Sequence, residues 1–217
     1  MTKTAFNWLT KIAPVAMALM ATVSCAGDVP LSSRSPATLL IELLQGASGA
    51  NPAAIFETRL NSDVITLVRK TDPSGTTTLV PTVFSDPGRV QLRVILKNFG
   101  NPDSPSTPSH LAYITVTHYR VKYRRTDGRN REGIDVPYAV EGGMTATVGV
   151  SSVTVIFDLV RHSTKEEPPL SNLVNHGGAG IINTIADVTF FGRDQNGNNV
   201  SVTGSISVNF GDFGDPS

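Results

Sequence analysis

The stretch that decides the fold is Val200-Ser-Val-Thr-Gly-Ser-Ile-Ser-Val-Asn-Phe210. Its even-numbered residues, Val200, Val202, Gly204, Ile206, Val208 and Phe210, are apolar or small, and its odd-numbered ones are Ser, Thr or Asn. Side chains of a strand alternate between faces, so a strict period of two over this length specifies an antiparallel strand with one dry and one wet face. Just before it, Ile182, Ala186, Val188 and Phe190 share one face, and D-Q-N-G-N-N at 194–199 turns the chain. Asn-Gly is a strong signal for a tight hairpin.

The same period runs back through the chain. Val90, Leu92, Val94 and Leu96 alternate with Gln91, Arg93 and Lys97 behind the turn formers Asp86-Pro87-Gly88. Residues 64–68 give a less regular strand. In the run L-A-Y-I-T-V-T-H-Y-R-V-K-Y-R-R at 111–125 the parity switches: Ile114 and Val116 share one face, whereas Tyr119, Val121 and Tyr123 share the other. A β-bulge near Thr117-His118 absorbs such a slip. Asp127-Gly128 signals the following hairpin, and strands are expected near 134–140, 143–150 and 153–162, the last burying Val153, Val155, Phe157 and Leu159. The run 37–46 fits a short helix capped at Ser35-Pro36 or a buried strand, and we read it as a strand. With no long helix, the expectation is an all-β fold, a two-sheet antiparallel sandwich of about 7–9 strands.

Composition agrees. Of 217 residues 40% are hydrophobic, enough for a sizeable core, and only 17% are charged, against roughly 25% in an average soluble domain. Formal charge is zero, so there is no global attraction to nucleic acid, and a charged partner needs a local patch.

The N-terminus reads differently. Lys3 and Lys11 are followed by the apolar run Ile12–Val23 and the small residues Ser24, Cys25, Ala26 and Gly27. This is the layout of an export signal, and the apolar run is too short for a membrane anchor. Thr22-Val23-Ser24-Cys25 resembles the lipobox of bacterial lipoproteins, although Thr22 stands where Leu is usual. The resemblance implies that Cys25 is acylated and becomes the first mature residue, tying the protein to the membrane. Ala26, not Asp, in the next position implies the outer membrane. The alternative is cleavage after Ala26, which leaves a soluble secreted or periplasmic protein. The organisation is then an export signal over 1–25, a tether over 26–36 and one β-sandwich domain over 37–217. As Cys25 is the sole cysteine, the mature domain has no disulfide.

The hairpin over 186–210 also resembles the last two strands of bacterial immunoglobulin-like domains. That resemblance implies an immunoglobulin-like sandwich without the inter-sheet cysteine pair, and by itself implies no function.

Candidate sites are few. His118, Arg120, Lys122 and Arg124 share the wet face after the bulge, with Arg125, Arg129 and Arg131 around the turn. Such a stripe suits an anionic glycan or polyanion, or else a solvated strand face. Asp194, Asn196 and Asn198 place oxygens at alternate positions, as calcium loops do, but the glycine and closing Glu of such a loop are not in register, and a plain hairpin turn explains them as well. His176-Gly177-Gly178 resembles an oxyanion loop, with no nucleophile elbow to serve it. No dinucleotide, P-loop or zinc spacing occurs. The expectation is a non-enzymatic envelope lipoprotein without a cofactor, acting as a structural or interaction module, or a glycan- or polyanion-binding one.

Overall fold

The computed structural model describes residues 35–51, 53–98, 100–175 and 180–214. Cys25, the export signal, most of the tether and His176-Gly177-Gly178 lie outside the described residues. The strands are β1 (Ala37–Gly46), β2 (Arg59–Asp63), β3 (Thr66–Thr71), β4 (Thr77–Thr82), β5 (Asp86–Leu96), β6 (Gly100–Asn101), β7 (Ser104–Pro105), β8 (Ile114–Arg124), β9 (Val140–Val148), β10 (Val153–Val160), β11 (Ile182–Asp194) and β12 (Asn199–Gly211). One short helix, α1 (His162–Glu166), follows β10. The fold is all-β, and the run 37–46 is strand β1.

A three-stranded sheet has the order β1-β5-β10 and a five-stranded sheet the order β2-β12-β11-β8-β9; β3-β4 and β6-β7 form small hairpins. The five-stranded sheet curls into a half-barrel. Among the described residues all strand pairs but one are antiparallel: β2 runs parallel to β12, pairing Leu60 with Val208. The chain reaches this edge from β1, which belongs to the other sheet.

The dry faces of both larger sheets share one core. Val90, Leu92 and Val94 of β5 meet Val188 and Phe190 of β11 and Ile206, Val208 and Phe210 of β12 in it, as alternation requires. Tyr119, Phe157 and Phe190 pack edge to face at its centre, with Tyr119–Phe157 centroids 5.0 Å apart and Phe157–Phe190 5.4 Å.

The parity switch in β8 is a bulge at Thr117. Val116 faces Gly192 and His118 faces Phe191, so Thr117 has no partner of its own. One expected strand is missing. Residues 131–136 make a compact turn because the Arg131 carbonyl accepts hydrogen bonds from the amides of Ile134, Asp135 and Val136, and residues 137–139 join no strand, Pro137 having no amide to give a ladder. Strand β9 therefore starts at Val140 and β10 stops at Val160, where α1 takes over.

Candidate functional site: a groove over the bulge

The bulge builds a site. An uninterrupted strand sends neighbouring side chains to opposite faces, but here Thr117 and His118 are both exposed on the wet face of the five-stranded sheet. Strand β8 crowds β11 at this point. A Cβ on Gly192 would lie 2.5 Å from the Thr115 carbonyl oxygen, so only glycine fits. Thr117 Oγ1 donates to the Phe191 carbonyl (3.4 Å) and lies 3.0 Å from His118 Nδ1.

Around this point lies a groove of about 690 Å³, lined by Thr117, His118, Phe191, Arg193, Asn199 and Ser201 among others. That volume is in the range of small-ligand sites. Phe191 and His118 are cross-strand partners stacked flat, centroids 4.6 Å apart and planes 7° from parallel. Arg193 Nε donates to Asn199 Oδ1 at 3.1 Å, which holds the guanidinium along the rim. Hydroxyl, amide and guanidinium groups thus ring an aromatic pair.

A second groove of about 400 Å³ adjoins it, lined by His110, Leu111, Tyr113, Thr115, Thr147 and Gln195. Thr115 pairs in register with Arg193, so the two grooves meet across neighbouring strands. Tyr113 and His110 stand edge to face, 4.9 Å apart, and Leu111 is 62% exposed. The end of the sheet thus presents two aromatic platforms with Thr115 between them.

The basic stripe is on the wet face as expected, but its charges come with partners. Arg124 Nε donates to Asp187 at 2.6 Å, and Arg120 lies 3.7 Å from Glu141. Arg125 and Arg129 both grip Asp127, at 2.6 and 2.8 Å, and Arg131 pairs with Asp135 at 3.2 Å. Lys122 faces Asp187 across the ladder. Burial pushes the Asp187 carboxyl up, but the hydrogen bonds from Arg124 and Ser205 and the charges of Arg124 and Lys122 outweigh it, so it titrates below the ordinary range. The Arg125 and Arg129 guanidiniums hold Asp127 well below it. Five arginines and Lys122 share four carboxylates, so the face is largely ion-paired and hydrogen-bonding and keeps only a small positive excess. Of the stripe, only His118 reaches the groove.

The loop 194–199 satisfies itself. Asp194 Oδ1 accepts from the amides of Asn196 (3.0 Å) and Asn198 (2.8 Å), and Oδ2 accepts from Asn198 Nδ2 (2.9 Å). Asn196 sits at the turn and Gly197 adopts φ 83°, as a tight hairpin needs. The Asp194 carboxylate is thus engaged by its own loop. Among the described residues no group of three or more His, Cys, Asp or Glu could hold a metal ion.

Of the groove's residues, the sequence reading singled out His118, as part of the basic stripe, and did not single out Phe191, Arg193 or Asn199. The available signal was Phe190-Phe191: consecutive aromatics in an alternating strand put one ring on the face where a solvated strand carries a polar residue. No family model, no curated protein and no solved structure matches the chain.

Proposed function

We propose that this protein is a non-catalytic glycan-binding module of the bacterial cell envelope, exported and held at the outer membrane by acylation of Cys25. The observation that carries the binding reading is the stacked Phe191–His118 pair, set on the wet face inside a ring of polar side chains. A pyranose offers an apolar C–H face and a rim of hydroxyls; an aromatic plate among Thr, Ser, Asn and Arg groups complements both. The paired arginines favour recognition by hydrogen bonding over recognition of a polyanion by net charge. Anchoring rests on the positive, apolar and small-residue layout ending at Cys25. The finer architecture in this reading is an immunoglobulin-like two-sheet sandwich; support comes from the long β11-β12 hairpin and the core shared by the two larger sheets.

Full-length protein incubated with peptidoglycan sacculi and with lipopolysaccharide-coated beads, across a salt series, tests the binding reading. Retention that persists at high salt supports it, and retention abolished by salt points to the polyanion reading instead. Failure to bind any glycan overturns both. Palmitate labelling that disappears in Cys25→Ala supports the anchor, and equal labelling of both proteins contradicts it.

A further inference from the structure

Away from the groove, α1 carries a lysine pointed into the interior. Lys165 is 2% exposed, and its Nζ lies 2.9 Å from Oδ2 of Asp86, which is fully buried at the start of β5. Each atom of the pair is held. Nζ also donates to the Asp63 carbonyl at 2.8 Å. Asp86 Oδ1 accepts the Gly49 amide at 2.8 Å, and Oδ2 accepts the Ser62 hydroxyl at 2.6 Å. Two full charges have been taken out of water here, and that is costly even when they are paired.

We propose that Lys165 and Asp86 condense to an intramolecular amide once the fold has formed. A proton first passes from Lys165 Nζ to Asp86 Oδ2 across their 2.9 Å contact, and the neutral amine then attacks Asp86 Cγ; the Nζ–Cγ bond forms and the Cγ–Oδ2 bond breaks. Two of the three ammonium hydrogens leave with Oδ2 as one water, and the third stays on the amide nitrogen. Nothing is oxidised or reduced, and no co-reactant is consumed.

The surroundings match the product as well as the reactants. The new N–H keeps the Asp63 carbonyl as its acceptor, and the retained Oδ1 keeps the Gly49 amide as its donor. That amide is aimed where negative charge grows in the tetrahedral intermediate. Ser62 donates onto Oδ2, the oxygen that departs, and is placed to relay a proton to it. The product is neutral, so the desolvation cost of the ion pair disappears. Holding two reacting groups in contact raises their effective concentration to as much as about 10⁵–10⁸ M, which drives a condensation that dilute reactants do not undergo. The link would tie β5 to α1 and close a long loop, a constraint that a chain with one cysteine cannot obtain from an internal disulfide.

Mass spectrometry of the denatured, trypsin-digested full chain is the test, and it does not depend on how the N-terminus is processed. An acylated Lys165 resists cleavage, so residues 71–89 are expected joined to residues 162–193, lighter by one water than the two peptides together, with peptide 162–165 missing. In Lys165→Arg the branched species should vanish. Full recovery of free 71–89 and 162–165 from the wild type overturns the proposal, as does a branched species that persists in Lys165→Arg.

Discussion

The imidazole of His118 lies flat against the ring of Phe191, 4.6 Å between centroids, and both stand on the wet face of the sheet. The bulge makes this pairing possible. Without the extra residue at Thr117, position 118 would face the core and Phe191 would have a different neighbour. A local irregularity in β8 thus converts a solvated sheet face into a shaped surface, with Gly192 allowing the strands to close beneath it.

Packing under β9 should discriminate sharply between two adjacent glycines. A Cβ on Gly142 would fall 2.4 Å from the buried Tyr119 ring, whose hydroxyl accepts the Asp158 amide, whereas a Cβ on Gly143 meets nothing within 4 Å. Gly142→Ala should destabilise by about 1–3 kcal/mol, as overpacked sites do, with Gly143→Ala within about 0.5 kcal/mol of wild type. Urea midpoints of the two variants check this.

Tyr123 ties the two larger sheets together. Its ring packs on Phe210, centroids 5.5 Å apart, and its hydroxyl donates to the Leu159 carbonyl at 2.7 Å, at the point where the β10 ladder is irregular. Burial pushes this phenol well above its ordinary range, so the hydroxyl keeps its proton. Tyr123→Phe leaves a buried carbonyl short of its donor and should cost about 1–3 kcal/mol in thermal or chemical unfolding.

Acid should loosen the 194–199 turn. Burial pushes the Asp194 carboxyl up, but hydrogen bonds from Asn198, Ser35 and Asn196 outweigh it and leave it below its ordinary value. A carboxyl depressed in the native state contributes stability above its unfolded value of about 3.9, and that contribution is lost as pH falls through the lower native value. Asp194→Asn should therefore be less stable than wild type at pH 7 by about 1 kcal/mol, with the gap closing on acidification. Melting curves from pH 7 to pH 2 measure it, and a constant gap would contradict it.

Much of this fold was legible because its strands carry their faces in their alternation. The β11-β12 hairpin, the inward set of β10 and the bulge at Thr117 all follow from which residues are apolar and at what spacing. The curl of the large sheet and the parallel β2–β12 edge were not legible, because they depend on which strands meet, not on the pattern within any strand. The site was legible only in part. The sequence shows Asp127, Glu132 and Asp135 diluting the stripe 118–131 but hides the pairs of Arg124 with Asp187 and Arg120 with Glu141, which are apart along the chain and meet only through the ladder. The Lys165–Asp86 pair had no local signature, since each residue alone looks like an ordinary surface charge.

The most direct measurement is isothermal titration of a soluble peptidoglycan fragment, and of a lipopolysaccharide-derived polysaccharide, into the wild type and Phe191→Ala. The substitution removes the plate from an exposed sheet face, so folding should persist with a cost of about 0.5–1 kcal/mol. Binding should weaken by about 2 kcal/mol, roughly 30-fold, as loss of a central aromatic anchor does. At least one of the two glycans should bind the wild type and show this loss. Equal affinity of the two proteins for every glycan bound, or no binding by the wild type, would contradict the assignment of this groove.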